Sequence, residues 1–156
     1  MKPLNSPLDV GLRVLMLLQE AFPQHLDLNQ LVLLDHSLLH SADLGGPESL
    51  HPAVPIRAGE LGIKREAIEA GLEVMVRAGL AQAGVGDGGI EFWASESADG
   101  FTNLLETEYA SQLHSRAAWV VAHFATLDEQ SLRSALSSVA KHWSEEFTRV
   151  AEEELY

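Results

Sequence analysis

The chain has 156 residues, of which 46% are hydrophobic and 21% charged, a balance typical of a globular domain with its own core. Its 23 acidic residues outnumber 10 basic ones, and the formal charge of -13 disfavours indiscriminate binding to DNA or to anionic membranes. The absence of cysteine excludes disulfides, thiolate nucleophiles and cysteine-ligated metal sites.

The first part of the chain predicts two helices with recognisable starts. Ser6 precedes a proline and has Asp9 three residues on, a variant of the capping box, and an apolar period then runs to Phe22. A second start lies at Asp27, with Gln30 as the capping partner, and its apolar face reaches to about residue 41. Because the first helix is apolar on most of its surface, we expect it at the centre of the core.

A loop and a third helix come next. Residues 42–63 have no sustained period and are rich in glycine and proline, which is typical of a long ordered loop. A third helix is predicted from near Lys64 to Ala78, and Gly79 stands where a left-handed residue often ends a helix.

Two short apolar runs, 80–85 and 90–94, flank a glycine-rich turn and predict a β-hairpin. Three helices followed by a hairpin is the order of a winged-helix domain. The sequence therefore predicts a modified winged-helix unit over residues 5–95, with the hairpin as its wing.

The rest of the chain returns to a helical pattern. A period close to 3.6 residues runs from Phe101 to Phe124, and Thr126 with Glu129 forms a new capping box. We expect an antiparallel helical hairpin over residues 98–154, packed on the first unit or extending to a partner, in a chain that is mainly α.

No sequence motif anchors an enzyme. The chain lacks the glycine-flanked serine of hydrolases and the phosphate-binding loops of nucleotide enzymes, so neither a catalytic residue nor a cofactor is predicted. His36 and His40, with Asp35 and Asp43 nearby, have a spacing that can face one metal ion, but the glutamate of a metalloprotease helix is missing. Ordinary helix histidines are the preferred interpretation, and a histidine-metal enzyme is a distant alternative.

The third helix carries the best nucleic-acid signal. Lys64, Arg65 and Arg77 lie on or beside the helix that would enter the major groove. Four glutamates share this segment, and the short turn of a helix-turn-helix is replaced by a loop of about twenty residues. Specific DNA binding is therefore not expected, and a winged-helix transcription regulator is retained as the alternative function.

The loop between the second and third helices is the richest feature. Its length is unusual for a small domain, and three prolines reduce the entropy lost when it is ordered. It can be a strap that packs over its own core through Leu44, Leu50, Val54 and Ile56. It can also be a rigid loop that docks on a partner. We expect docking, because polar side chains surround the apolar Leu50 as in an interface hot spot.

Several stretches resemble one protein family. They are Asn5 to Asp9 with Arg13, Leu33 to Asp35, the loop from Gly45 to Pro52 and from Pro55 to Arg57, Gly71-Leu72, Gly79-Leu80 and Arg116 to Trp119. This pattern, over roughly residues 5–124, is similar to that of the middle component of bacterial three-component ABC-ATPase systems, a group that includes Lamassu-type anti-phage defence.

The resemblance implies a non-enzymatic winged-helix-like adaptor, bound to an SMC- or Rad50-like ABC ATPase and to an effector that is often a nuclease. The residues themselves, with no cysteine and no apolar stretch long enough to span a bilayer, favour a cytoplasmic location. No cofactor, metal or membrane is implied. The predicted partner-binding residues are Pro47, Glu48, Ser49, Leu50, His51, Arg57, Arg116 and Trp119. Arg116 and Trp119 are three residues apart, so they can form a cation-π stack or simply lock the helical hairpin.

Overall fold

A computed structural model describes residues 6–41, 45–48, 50, 60–87, 89–125 and 134 of the chain, with the backbone alone at 60–63. In chain order the elements are α1 (Pro7–Ala21), β1 (Leu26–Asp27), α2 (Leu28–Leu39), α3 (Glu60–Arg77), β2 (Ala81–Gly86), β3 (Gly89–Ala94), α4 (Ala98–Thr102) and α5 (Glu108–Ala125).

The first two helices begin at the predicted caps. The backbone N–H of Asp9 donates to the Ser6 hydroxyl at 3.1 Å, which satisfies one of the free N–H groups of the first turn of α1. At α2 the capping box is complete, because Gln30 N–H donates to the Asp27 carboxylate at 2.8 Å and Asp27 N–H donates to the Gln30 side chain at 2.9 Å. Both predicted starts are confirmed.

Helix α1 lies at the centre of the described core, in contact with α2, α3, α5 and β3. Residues 14–18 are fully buried on every side of the helix, whereas Leu8 and Phe22, the two ends of the predicted apolar stripe, lie at the surface. Helices α1 and α3 approach closely at two glycines, since a Cβ on Gly71 would come within 2.7 Å of the Gly11 nitrogen. The small residues set the distance between these helices.

Helix α3 begins about one turn before the predicted start and ends at Arg77. Gly79 has a φ of 76°, the left-handed conformation expected after a helix end. The N–H of Leu80 donates to the Met75 carbonyl at 2.9 Å, which closes the last turn. The predicted helix end is confirmed.

The predicted hairpin is present as β2 and β3, which pair antiparallel from Ala81 opposite Ala94 to Gly86 opposite Gly89. A third strand was not predicted. Residues Leu26 and Asp27 form β1, which pairs with β3 and gives a three-stranded antiparallel sheet in the order β1-β3-β2.

The region after the sheet differs from the prediction of one continuous helix from Phe101. The chain forms the short α4, breaks over residues 103–107, and starts again as α5 at Glu108. The Thr107 hydroxyl accepts from Ala110 N–H at 3.1 Å, so a cap begins a new helix in the middle of the apolar period. The second arm of the predicted hairpin, like most of residues 126–156, lies outside the described residues.

The described part of the chain is thus mainly helical with one small sheet, which is compatible with the predicted unit of helices and a hairpin wing. In these same residues, no helix combines the length and the apolar character that crossing a membrane requires.

Candidate partner-binding site

The first residues of the long loop are held against α2. Ser41, at the end of α2, accepts a hydrogen bond on its carbonyl from Gly46 N–H at 3.0 Å, and its hydroxyl donates to the Pro47 carbonyl at 2.9 Å. Gly45 supports this turn with a φ of 75°, which a side chain would strain. The loop therefore leaves α2 along a defined path.

Helix α5 holds the same segment from the other side. The Arg116 guanidinium donates through Nε to the Glu48 carbonyl at 3.0 Å. The Trp119 indole lies against Gly46 so closely that a Cβ there would come within 2.5 Å of the ring. Trp119 also stacks on His123, with ring centroids 4.9 Å apart. Arg116 and Trp119 thus anchor the first residues of the loop on α5.

The predicted partner-binding residues are only partly described. Pro47, Glu48, Arg116 and Trp119 come together in this one contact, with the Glu48 side chain exposed, while Leu50 is half-buried against the core. Ser49, His51 and Arg57 lie outside the described residues, as do Leu44, Val54 and Ile56 of the strap interpretation. The described contacts agree with a strap at Leu50, and the binding role of these residues stays a prediction.

A buried ion cluster joins three of the helices. Asp35 on α2 is fully buried and accepts from Arg13 Nε at 2.9 Å, with a second guanidinium nitrogen at 3.3 Å. Lys64 on α3 reaches the other carboxylate oxygen at 3.1 Å. The two cations occupy both oxygens of Asp35 and tie α1 and α3 to α2.

Charge pairing decides the protonation of this cluster. Burial alone would raise the pKa of Asp35, but the Lys64 ammonium and the Arg13 guanidinium outweigh it and lower the pKa to about 2. Burial alone would lower the pKa of Arg13, and the Asp35 charge reverses this into an increase. Burial raises the pKa of the nearby Tyr109 phenol on α5. The Asp35 carboxylate and the Arg13 guanidinium are consequently both charged at neutral pH.

Charged residues within apolar helices are a sequence signal for this cluster, although no ion pair was predicted from them. Arg13 interrupts the most apolar helix, and Asp35 follows two leucines on another apolar face. A charge at a core position requires a partner, because an isolated buried charge costs several kcal/mol. Two charges of opposite sign in two core helices are therefore candidates for one ion pair.

The described structure does not assemble a metal site at the two histidines. The rings of His36 and His40 lie 4.8 Å apart, but the carboxylate of Asp35 is taken by Arg13 and Lys64. Within the described ranges no group of three or more potential ligands could hold a metal ion.

The cations of α3 are engaged within the chain. Lys64 binds Asp35, as described above. Arg65 donates to the Asn29 side chain at 2.6 Å and lies 4.0 Å from Glu69, and Arg77 pairs with Glu73 at 2.6 Å. A helix that reads DNA needs such groups free for phosphates and bases, so this geometry does not favour the major-groove interpretation.

An apolar groove of about 250 Å³ lies where the ends of α1, α2 and α5 meet. Leucines, Val121 and Phe124 form most of its described lining, and the polar groups among them are the amides of Gln24 and Gln30. A lining of this kind offers burial and a few hydrogen bonds rather than a general acid or base.

Comparison with known proteins identifies the family of the chain. The model of the family described as ABC-three component (ABC-3C) system Middle Component 2 matches residues 3–146 of the chain. The chain belongs to this family. No curated protein and no solved structure matches it. As a Middle Component 2 protein, the chain is one part of a multi-component ABC system, and membership of such a system implies protein partners.

Proposed function

We propose that this Middle Component 2 protein is a non-enzymatic adaptor of a Lamassu-type anti-phage defence complex in the bacterial cytoplasm. It links an SMC- or Rad50-like ABC ATPase to a separate effector, often a nuclease. The observation that carries the proposal is the family match over residues 3–146, because a middle component has other subunits to join.

The chemistry of the described side chains supports a role in binding rather than in catalysis. Among the carboxylates of the described ranges, Asp35 has the most perturbed pKa, and a perturbed carboxylate is a natural candidate for a general acid or base. Its pKa is lowered rather than raised, and both of its oxygens face cations inside the core. A buried, ion-paired carboxylate of this kind holds helices together and has no proton to exchange near neutral pH.

The distribution of charge indicates which partners fit. All five basic side chains in the described ranges bind acceptors of this same chain. Among the described residues, the exposed charge that remains for a partner is mostly acidic, in keeping with the formal charge of -13. We therefore expect a protein surface rich in lysine and arginine as the partner, since nucleic-acid phosphates would be repelled.

The loop held between α2 and α5 is the proposed docking point. Its backbone is fixed at Gly46, Pro47 and Glu48, so ordering it on binding costs little further entropy. The exposed carboxylate of Glu48 projects from this fixed backbone and can pair with a basic group of the ATPase or the effector. His51 and Arg57 extend the proposed surface along the chain.

Co-purification tests the adaptor role directly. The full chain should be isolated together with the ABC ATPase subunit of its system. Glu48→Lys reverses one exposed charge and leaves the carbonyl that accepts from Arg116 in place. It should weaken the complex by roughly tenfold or more, because a like charge is placed against a basic partner.

The matched control is Glu106→Lys, the same charge change at an exposed residue between α4 and α5. It should bind as the wild type does. Equal binding by both variants would refute docking at the loop. A chain that binds no ATPase but binds one DNA sequence tightly, with a steep salt dependence, would refute the adaptor role in favour of a transcription regulator.

A further inference from the structure

The wing has two faces of opposite character, and its polar face is closed by contacts within the chain. Trp93 donates through Nε1 to the Gln82 side chain at 2.7 Å and lies over Gly84. His25 stacks on the same indole, with ring centroids 4.1 Å apart, and its Nδ1 lies 3.3 Å from the Glu91 carboxylate. These contacts make the hairpin a rigid projection.

The other face of the wing carries an apolar stripe that runs from the core to the tip. Leu26 and Phe92 are paired across β1 and β3, and Phe92 packs against the core. Val85 and Ile90 are directly opposite each other nearer the turn, on the same face as Phe92 because side chains alternate along a strand. Val85 is 91% exposed and Ile90 60% exposed, so the stripe ends in an uncovered pair.

The free edge of β2 is also unprotected. Alternate residues of an antiparallel pair point their backbone groups away from the partner strand. Ser95 N–H donates to the Leu80 carbonyl, which places residues 81, 83 and 85 among those pointing outward. Within the described ranges no strand pairs with this edge, and β2 contains no lysine, proline or bulge of the kind that protects an edge strand.

The charge at the tip restricts what can cover it. The turn carries the exposed Asp87, and residues 80–95 contain no lysine or arginine. A wing that binds nucleic acid needs basic groups for the phosphates, and this one has acidic groups instead. A second copy of the chain is opposed by repulsion between two molecules that each carry a formal charge of -13.

From these observations we infer that the wing docks on a subunit of the same assembly by accepting an extended segment of that subunit along β2. The segment pairs with the outward backbone groups of Ala83 and Val85, covers Val85 and Ile90 with apolar side chains, and places a lysine or arginine beside Asp87. This inference rests on the proposed function, and it adds a second contact surface distinct from the loop.

A single substitution at the edge tests the wing. Val85→Lys replaces an exposed apolar side chain with a charged one, so it should leave the fold intact, block strand addition and repel a basic segment. Its dissociation constant for the purified ATPase or effector subunit should rise at least tenfold. Leu104→Lys is the matched control, since Leu104 is 78% exposed and follows α4, and its binding should be unchanged. Ile90→Thr, which keeps a β-branched side chain, should weaken binding in the same direction.

Amide hydrogen exchange gives a second, independent measurement on the wild-type chain. Binding should slow exchange at Ala83 and Val85, whose N–H groups would become hydrogen-bonded. If Val85→Lys binds both subunits normally, or if these amides exchange unchanged in the complex, the wing inference is refuted while the adaptor role stands. If the wild-type chain binds neither subunit, both the wing inference and the adaptor role are refuted. Dimerisation of the chain through β2 would also refute the inference.

Discussion

The buried charge of Asp35 predicts a defined loss of stability in acid. Its pKa falls from an ordinary value of 3.8 to about 2 in the folded chain. At about 1.4 kcal/mol per pKa unit, the difference corresponds to roughly 2 kcal/mol of the free energy of unfolding. Asp35 is fully buried, so solvent screening does not reduce this figure.

The direction of the effect follows from the lowered pKa. Above about pH 4 the carboxylate is charged in both the folded and the unfolded chain, and its full contribution is present. As the pH falls from about 4 to about 2, the unfolded chain takes up the proton first, so the contribution of Asp35 is lost. This loss can be measured by urea unfolding of the full chain between pH 6 and pH 2, with circular dichroism as the signal. Urea is uncharged and therefore does not screen the ion pairs.

Asp35→Asn separates this residue from the other carboxylates. At pH 6 the variant should be less stable than the wild type by about 3 to 5 kcal/mol, because Arg13 is left buried without a counter-charge. The gap should narrow by roughly 2 kcal/mol at pH 2, where the wild type has lost its own contribution. Parallel curves for the two proteins at all pH values would refute the assignment of the charged cluster.

Two further predictions concern close approaches at glycine. Gly71→Ala should lower the free energy of unfolding, measured with urea, by about 1 to 3 kcal/mol, because its Cβ meets the backbone of Gly11. Gly100→Ala, with open space around it, should leave the free energy of unfolding unchanged or raise it. Equal effects of the two substitutions would contradict the tight helix crossing. Gly46→Ala should push the loop away from Trp119 and shift the NMR signal of that indole N–H at little cost in stability, and an unchanged signal would contradict the contact.

Local features of the fold could be predicted because their chemistry is local. The cap at Ser6, the capping box at Asp27 and the left-handed Gly79 each depend on groups within a few residues of one another. Strand β1 could not be predicted, because two residues carry no period and the strand exists only by pairing with β3. The break before α5 was missed because the apolar period continues through it, while Thr107 provides a new start.

The candidate site was less accessible from the sequence. Charges within apolar helices indicate buried pairing, but nothing in the spacing says that Asp35 meets Arg13 and Lys64, which come from different helices. Arg116 contacts the backbone carbonyl of Glu48. Every residue has such a carbonyl, so the sequence cannot indicate which one is the acceptor. Long-range contacts of this kind depend on the packing of whole helices.

Several residues in the stretches that carry the family resemblance make contacts with other parts of the chain in the structure. The stretches were recognised as separate pieces along roughly 120 residues of sequence. Arg13 pairs with Asp35, Gly71 admits α1 to α3, and Trp119 lies over Gly46 of the loop. Each of these residues therefore has a structural contact within the chain, and the partner-binding role of Trp119 stays a prediction.

Helix α2 connects these contacts. Asp35 joins it to α1 and α3, and Ser41, less than two turns further on, holds the first residues of the loop. The loop begins after α2 and leads into α3. Lys64 of α3 pairs with Asp35 of α2, so both ends of the loop are attached to α2. Closing a long loop costs entropy, and two anchors on one rigid element reduce the freedom that remains. Asp35 and Trp119 thus position the loop, and among the resembling residues the first at which to seek a partner contact is Glu48, because its side chain is exposed.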